Sequence, residues 1–179
     1  MAAPGTTNFE PPRTEKRLRL VLDLARAPEP DAADCRAVAE TDREQLAELM
    51  LDAYRDTIDY NGETLADARK EVEETIAGAY GRFLPDCSFV APAPAGLAAA
   101  TLVTLLDPDG PDQAPLLAFV MTRKDCQGRG LAGSLIRRTA RALLHSGHSR
   151  LRLAVTAANA PACRLYARLG FVAPDPASR

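Results

Sequence analysis

Charged and apolar residues alternate through "RLRLVLDL" (Arg17–Leu24), a pattern that predicts a half-buried strand. "ARAPEPDAAD" reads as a loop, "CRAVAET" as a weaker strand, and Thr41 or Asp42 stands where a helix N-cap belongs. The next helix, "DREQLAELMLDAYRDTI", carries Leu46, Leu49, Met50, Ala53 and Tyr54 at helical spacing, and the Asn-Gly turn of "DYNGE" breaks it. "TLADARKEVEETIAGAYGRF" opens as a second amphipathic helix with Leu65, Val72 and Ile76 facing in. Two strands, "CSFVAPA" and "GLAAATLVTLL", precede a connector rich in turn residues, "DPDGPDQAP". The continuous apolar run "LLAFVMT" predicts a central strand buried on both faces. Next comes a helix with Leu131, Leu135, Ile136, Leu143 and Leu144 inward, then the strand "RLRLAVTAA". The short helix "APACRLYARLG" has Pro161 at its start and Gly170 past its end, the favoured asymmetry. This order of elements predicts a mixed α/β fold around one central sheet.

Composition narrows the function classes. A chain of 179 residues suits one domain, and 46% hydrophobic with 26% charged residues is ordinary for a soluble protein. The net charge of −2, with basic residues scattered among acids, gives no case for nucleic acid. Cys35, Cys87, Cys126 and Cys163 are far apart and form no C-x-x-C pair, which argues against a zinc site or disulfide scaffold and for a reducing compartment. No apolar run reaches the roughly 18 residues of a membrane span. "MAAPGTTNFEPPRTEKR" lacks the apolar stretch of a signal peptide. We therefore expect a cytoplasmic protein with no metal, no membrane and no nucleic acid partner. The expected organisation is a disordered tail over 1–16, a strand-and-loop extension over 17–34 and one domain over 35–179.

The chemistry concentrates in "DCQGRGLAGSLIRR" (Asp125–Arg138), a glycine-rich loop running into a helix. Gly128, Gly130 and Gly133 fit G-x-G-x-x-G, but a dinucleotide site also needs an acidic residue at the end of the next strand. That strand ends in "VTAAN", with no carboxylate, and too little chain remains for the other strand–helix units. No Gly-Lys-Ser/Thr is present after the loop, so a P-loop is excluded. Gln127, Gly130 and Ala132 also fit Q-x-x-G-x-A. Small residues let backbone approach a pyrophosphate, and amides at a helix N-terminus point at it. Gly128, Arg129, Gly130, Leu131, Ala132 and Gly133 would supply those amides, with Gln127 bracing the turn. The Arg129 side chain reads equally well as a phosphate contact or as a solvated arginine, and Arg137 and Arg141, one turn apart, read as a solvated helix face.

A buried strand, a Q-x-x-G-x-A turn and a helix, then the stretch "TAANAPACRLYARLGFV", together resemble the GNAT superfamily of N-acetyltransferases. The resemblance covers about Cys35 to Val172, and its specific part is Leu116–Val172. It implies a GNAT-like acyl-CoA N-acyltransferase fold with an extra N-terminal strand, and acetyl-CoA as co-substrate. By resemblance, backbone groups of Val120, Met121 and Thr122 face the pantetheine arm and acetyl carbonyl, and Asn159 hydrogen-bonds the arm. Tyr166 faces the thioester sulfur as general acid. Many members carry a glutamate on the strand before the asparagine; here the inward candidate is Ala154, which cannot take a proton. Asp59, Tyr60 and Glu63, in a turn that borders the acceptor site in such enzymes, are the next candidates for acceptor-side catalysis.

The expected acceptor is a small-molecule or peptide amine. Family members usually continue past Gly-Phe into a final strand pair, whereas here the chain reads "VAPDPASR", its prolines unsuited to a long strand. Two completions of the sheet stay open: the Arg17–Leu24 strand, or a partner chain in a homodimer. The competing function is a non-catalytic acyl-CoA-binding or regulatory domain on the same fold.

Overall fold

A computed structural model describes residues 16–31, 34–106 and 113–174 of the chain. Apart from Lys16, the tail read over 1–16 lies outside the described residues, as do most of the "DPDGPDQAP" connector and the last five residues. The strands are β1 (Arg17–Asp23), β2 (Arg36–Ala37), β3 (Arg82–Phe83), β4 (Phe89–Ala93), β5 (Gly96–Leu105), β6 (Pro115–Thr122) and β7 (Arg150–Thr156). The helices are α1 (Arg43–Tyr54), α2 (Leu65–Ile76), α3 (Leu131–His145) and α4 (Ala160–Arg168). The mixed α/β expectation holds: the strands form one sheet in the order β1-β7-β6-β5-β4-β2, with β3 also paired to β5.

Helices cover both faces of the sheet. Leu46, Met50, Ala68 and Val72 from α1 and α2 pack on Val90, Ala100, Leu102 and Met121. On the other face, Ile136, Ala140 and Leu143 of α3 and Tyr166 of α4 pack on Leu22, Leu151, Leu153 and Val155. Burying one such side chain contributes about 1.5–3 kcal/mol, so the two clusters hold the helices that frame the cleft. Thr101 and Thr139 satisfy each other through a 3.0 Å contact where α3 crosses β5, and Thr139 also donates to Cys87 O.

Several sequence expectations need correction. The strand buried on both faces is β5, covered at every position after Gly96. β6 instead alternates between buried and half-buried residues, because its outer neighbour parts from it and opens one side. The register of β5 on β6 skips Ala118, placing one extra residue in β6 there. Such a bulge bends a strand and re-aims the side chains beyond it. α1 stops at Tyr54, short of the expected Ile58: Arg55 turns extended and Asp56 takes the left-handed region at φ 64°. α2 ends at Ile76, and the rest of its stretch turns through Gly78 and Gly81 into β3. Asp42 does stand at the N-cap of α1, but its side chain makes no capping bond there, because the carboxylate is committed to Arg36 at 2.6 and 2.7 Å and to the Ala39 N–H at 2.8 Å. The Arg36 guanidinium accordingly holds that carboxyl below the ordinary aspartate value.

β1 lies along β7 through all seven of its residues, from Arg17 opposite Thr156 to Asp23 opposite Arg150. Val21 bonds back to Val172 beyond Gly170-Phe171. Of the two completions left open by the sequence, the chain's own N-terminal strand takes the place beside β7.

Candidate active site

The cleft opens where β6 and β7 part. These parallel strands are in register only at Leu116 and Arg152, near their starts, and separate toward Thr122 and Thr156. The opening forms a cavity of about 1280 Å³. One wall is the segment Cys126–Gly133, and the floor is β6 from Leu116 to Thr122. The remaining walls come from β7, α4 and the turn after α1.

The glycine loop is shaped by backbone. Gly128 and Gly130 sit at φ 76° and 80°, a region that L side chains rarely adopt, and Gly130 stands in the N-cap position of α3. A Cβ at either would meet no atom within 4 Å, so conformation and not crowding demands glycine there. The first intrahelical bond is from Ser134 N–H to Gly130 O, leaving the amides of Leu131, Ala132 and Gly133 outside the helix ladder in a segment that lines the cleft. Gln127 Nε2 donates to Thr122 O at 3.4 Å, tying the loop to the end of β6.

Opposite the loop, side chains do the lining. The early stop of α1 carries Asp59 into the cleft, where it is 9% exposed. Thr156 Oγ1 donates to Asp59 Oδ1 at 2.6 Å, and Asn159 Nδ2 donates to Oδ2 at 3.3 Å. Asn159 also caps α4, its Oδ1 accepting from Ala162 N–H at 3.2 Å. Tyr166 is buried beside Phe171, ring centroids 5.6 Å apart, yet it lines the cavity. Among the described residues its hydroxyl has no hydrogen-bond partner. Burial, with Cys163 and Asp59 adding negative charge nearby, pushes its pKa above the usual phenol value.

A model of the acetyltransferase (GNAT) family matches residues 35–171. The chain belongs to the GNAT acetyltransferase family. No curated protein matches it in sequence. Among solved structures, a GCN5-related N-acetyltransferase from Sphaerobacter thermophilus is 17% identical, with TM-score 0.66, over 88% of this chain and 48% of that one. A putative GNAT-family acetyltransferase from Novosphingobium aromaticivorans is 25% identical, with TM-score 0.56, over 92% of this chain and 65% of that one. A structure of AAC(6')-Iy in complex with the bisubstrate analog CoA-S-monomethyl-acetylneamine is 17% identical, with TM-score 0.59, over 79% and 92%. At 17% identity the likeness speaks for the fold. The chain spans about half the length of the first of these structures and about two thirds of the second.

In this member of the GNAT family the residues singled out from the sequence divide clearly. Gln127, Gly128, Gly130, Leu131, Ala132, Gly133, Val120, Thr122, Asn159, Tyr166 and Asp59 all line the one cleft. Met121 is outside that lining, its side chain buried under α1 and α2. Arg129 is exposed on the loop outside the lining. Tyr60 and Glu63 stay outside it too: the Tyr60 hydroxyl donates to Glu63 O, and the Glu63 carboxylate accepts from Asn61 N–H at 2.8 Å. Arg137 and Arg141 are not a bare solvated face; Asp31 pairs with Arg137 and Ser134, and Glu29 with Arg141 at 3.3 Å. Ala154 is on the cleft wall. Thr156 and Arg17 line the cleft without having been expected there. No local sequence signal could have found them, because the Thr156–Asp59 bond joins residues 97 apart.

Among the described residues no group of His, Cys, Asp and Glu is placed to hold a metal ion. None of their helices is long and apolar enough to cross a membrane.

Proposed function

We propose that the protein is an N-acetyltransferase moving the acetyl group of acetyl-CoA to a primary amine by direct attack. The observation that carries this reading is the sharing of one cleft by the loose amides of α3, the unpartnered Tyr166 hydroxyl and the Asp59 carboxylate. The amides of Leu131–Gly133 suit the pyrophosphate, each contact contributing about 0.3–1 kcal/mol. The resemblance to a fold that holds a CoA bisubstrate analog supports an acyl-CoA in that groove. Where β6 leaves β7, the backbone groups of Val120–Thr122 that point away from β5 have no partner strand and suit the pantetheine arm and acetyl carbonyl. Asn159 keeps one amide hydrogen for the arm beyond the one it gives Asp59.

The amine nitrogen attacks the thioester carbonyl carbon, a C–N bond forms, and the C–S bond breaks with its electron pair leaving on sulfur. A lysine-like amine must first lose a proton, at about 4.6 kcal/mol from a pKa near ~10.4 at pH 7. Asp59 is the one carboxylate lining the cleft among the described residues, and it takes this proton directly or through a water it holds. Tyr166, protonated throughout the neutral range, donates a hydrogen bond to the departing thiolate. Its raised pKa makes outright transfer to a thiolate uphill, so the sulfur takes its proton from water.

Thiol release from acetyl-CoA across a panel of amines, spanning polyamines, amino acids, aminoglycosides and peptide N-termini, tests the proposal. Release above the uncatalysed rate with at least one amine is expected. Binding of acetyl-CoA without transfer to any of them would leave a non-catalytic acyl-CoA-binding domain.

A further inference from the structure

The acceptor half of the cleft has an uneven charge. Its lining includes two guanidinium groups, Arg17 on the strand beside β7 and Arg168 at the end of α4, and among the described lining residues the one carboxylate is Asp59. Arg17 is the register partner of Thr156, so the two side chains stand on one face of the sheet. Thr156 in turn bonds Asp59. A guanidinium and a carboxylate therefore flank the same threonine where the strands part. Arg17 is exposed and spends one donor on Ala154 O, at a long 3.4 Å. Among the described residues it has no carboxylate partner, unlike Arg36, Arg69, Arg123 and Arg137. A guanidinium with donors to spare is built to take a carboxylate in bidentate fashion.

Apolar side chains share this lining. Ile58 and Leu106, exposed at 41% and 40%, line the cavity with Leu116 and Ala118. These are two of the three large hydrophobic side chains left exposed among the described residues, and both line this cavity. A polycationic acceptor would find one carboxylate here, already holding two hydrogen bonds, and a guanidinium set against it.

We infer that the acceptor is an α-amino acid with an apolar side chain, its amine toward Asp59, its carboxylate on Arg17 and its side chain against Ile58 and Leu106. The inference rests on the acetyl-transfer reading above and names the substrate of that same site. The product keeps its carboxylate; only the amine nitrogen gains an acyl bond as the C–S bond of acetyl-CoA breaks.

Leucine and isopentylamine differ only in the carboxylate and make a matched pair of acceptors. We expect kcat/KM for leucine to exceed that for isopentylamine at least tenfold. Arg17→Gln should erase the difference and Arg17→Lys restore part of it. Arg19→Gln, two residues along the same strand and outside the cleft, should leave it intact. Equal rates for the two acceptors, or discrimination that survives Arg17→Gln, would overturn the inference. If neither is acetylated, binding of the products decides: N-acetylleucine should bind the CoA-loaded protein in calorimetry at least tenfold tighter than N-isopentylacetamide. Equal or absent binding there overturns the Arg17 assignment. Failure of acetyl-CoA itself to raise the melting temperature would instead overturn the acetyl-transfer reading.

Discussion

From Gln127 to Gly133 the cleft is lined by backbone, whereas across from it the lining is side chains: Asp59, Thr156, Asn159, Tyr166 and Arg17. The backbone wall comes from one continuous stretch of chain, and its shape is set by two left-handed glycines and the start of a helix. The side-chain wall is assembled from β1, the turn after α1, β7 and α4, with Asp59 bonded to residues 97 and 100 positions away. A wall made of amides recognises what every acyl-CoA shares. A wall made of side chains can be exchanged residue by residue, so acceptor choice belongs there.

The sharpest way to break this division is to damage one wall alone. Gly130→Glu forces a side chain onto a backbone at φ 80° and sets a carboxylate against the loose amides. Acetyl-CoA at about 100 times its dissociation constant should stabilise the wild type by roughly 2.7 kcal/mol, and the variant should lose all of it in a thermal-shift assay. An undiminished shift would take the loop out of cofactor binding.

On the other wall, Asp59→Asn keeps the shape and removes the proposed base. Turnover should fall about 10²–10³-fold with acetyl-CoA affinity unchanged. Tyr60→Phe and Glu63→Gln, outside the lining, should stay within about twofold. A loss as large in either of these as in Asp59→Asn would move the base to the tip of the turn.

Tyr166→Phe deletes the phenol hydroxyl while keeping the ring against Phe171. Turnover should drop about 10²-fold, with melting temperature and acetyl-CoA affinity little changed. Because the phenol titrates above its ordinary range, the wild-type rate should show no alkaline fall from this group up to about pH 10. Turnover within about threefold of wild type would reduce Tyr166 to packing.

The smallest effect is expected at Thr156, which bonds the proposed base, Asp59. Thr156→Val removes a hydrogen bond to a charged group, a loss of about 1.5 kcal/mol or roughly tenfold in kcat/KM. Rescue by Thr156→Ser would mark it as a positioning residue.

The same division explains what the sequence disclosed. The glycine loop, the parted strand and the Asn159–Tyr166 stretch are legible because each is a short run whose residue types are dictated by local backbone needs. Element types along the chain are legible for the same reason, from periodicity. The strand buried on both faces is not, because β5, with its alanines and threonines, reads as less apolar than "LLAFVMT", and burial depends on neighbours that periodicity does not name. The length of α1 escapes the sequence because its stop at Arg55–Asp56 carries no Gly or Pro, only an aspartate accepting the left-handed region. That stop is what carries Asp59 to Thr156. Arg17 reads only as the first polar position of an alternating strand, and its place in the cleft comes from a pairing that no local window contains.

That pairing also orders events in time. β1 leaves the ribosome early, but β7, the strand it lies along, is made about 130 residues later, and closing so long a loop is entropically slow. Until then an alternating apolar strand waits without its partner, exposed to other chains, and the edge of β7 waits with it. The loop and helix that form the backbone wall need no such closure. In pulse-labelled hydrogen exchange during refolding, amides of α3 should therefore gain protection before those of β1, and the acceptor pocket should be the last part of the cleft to exist.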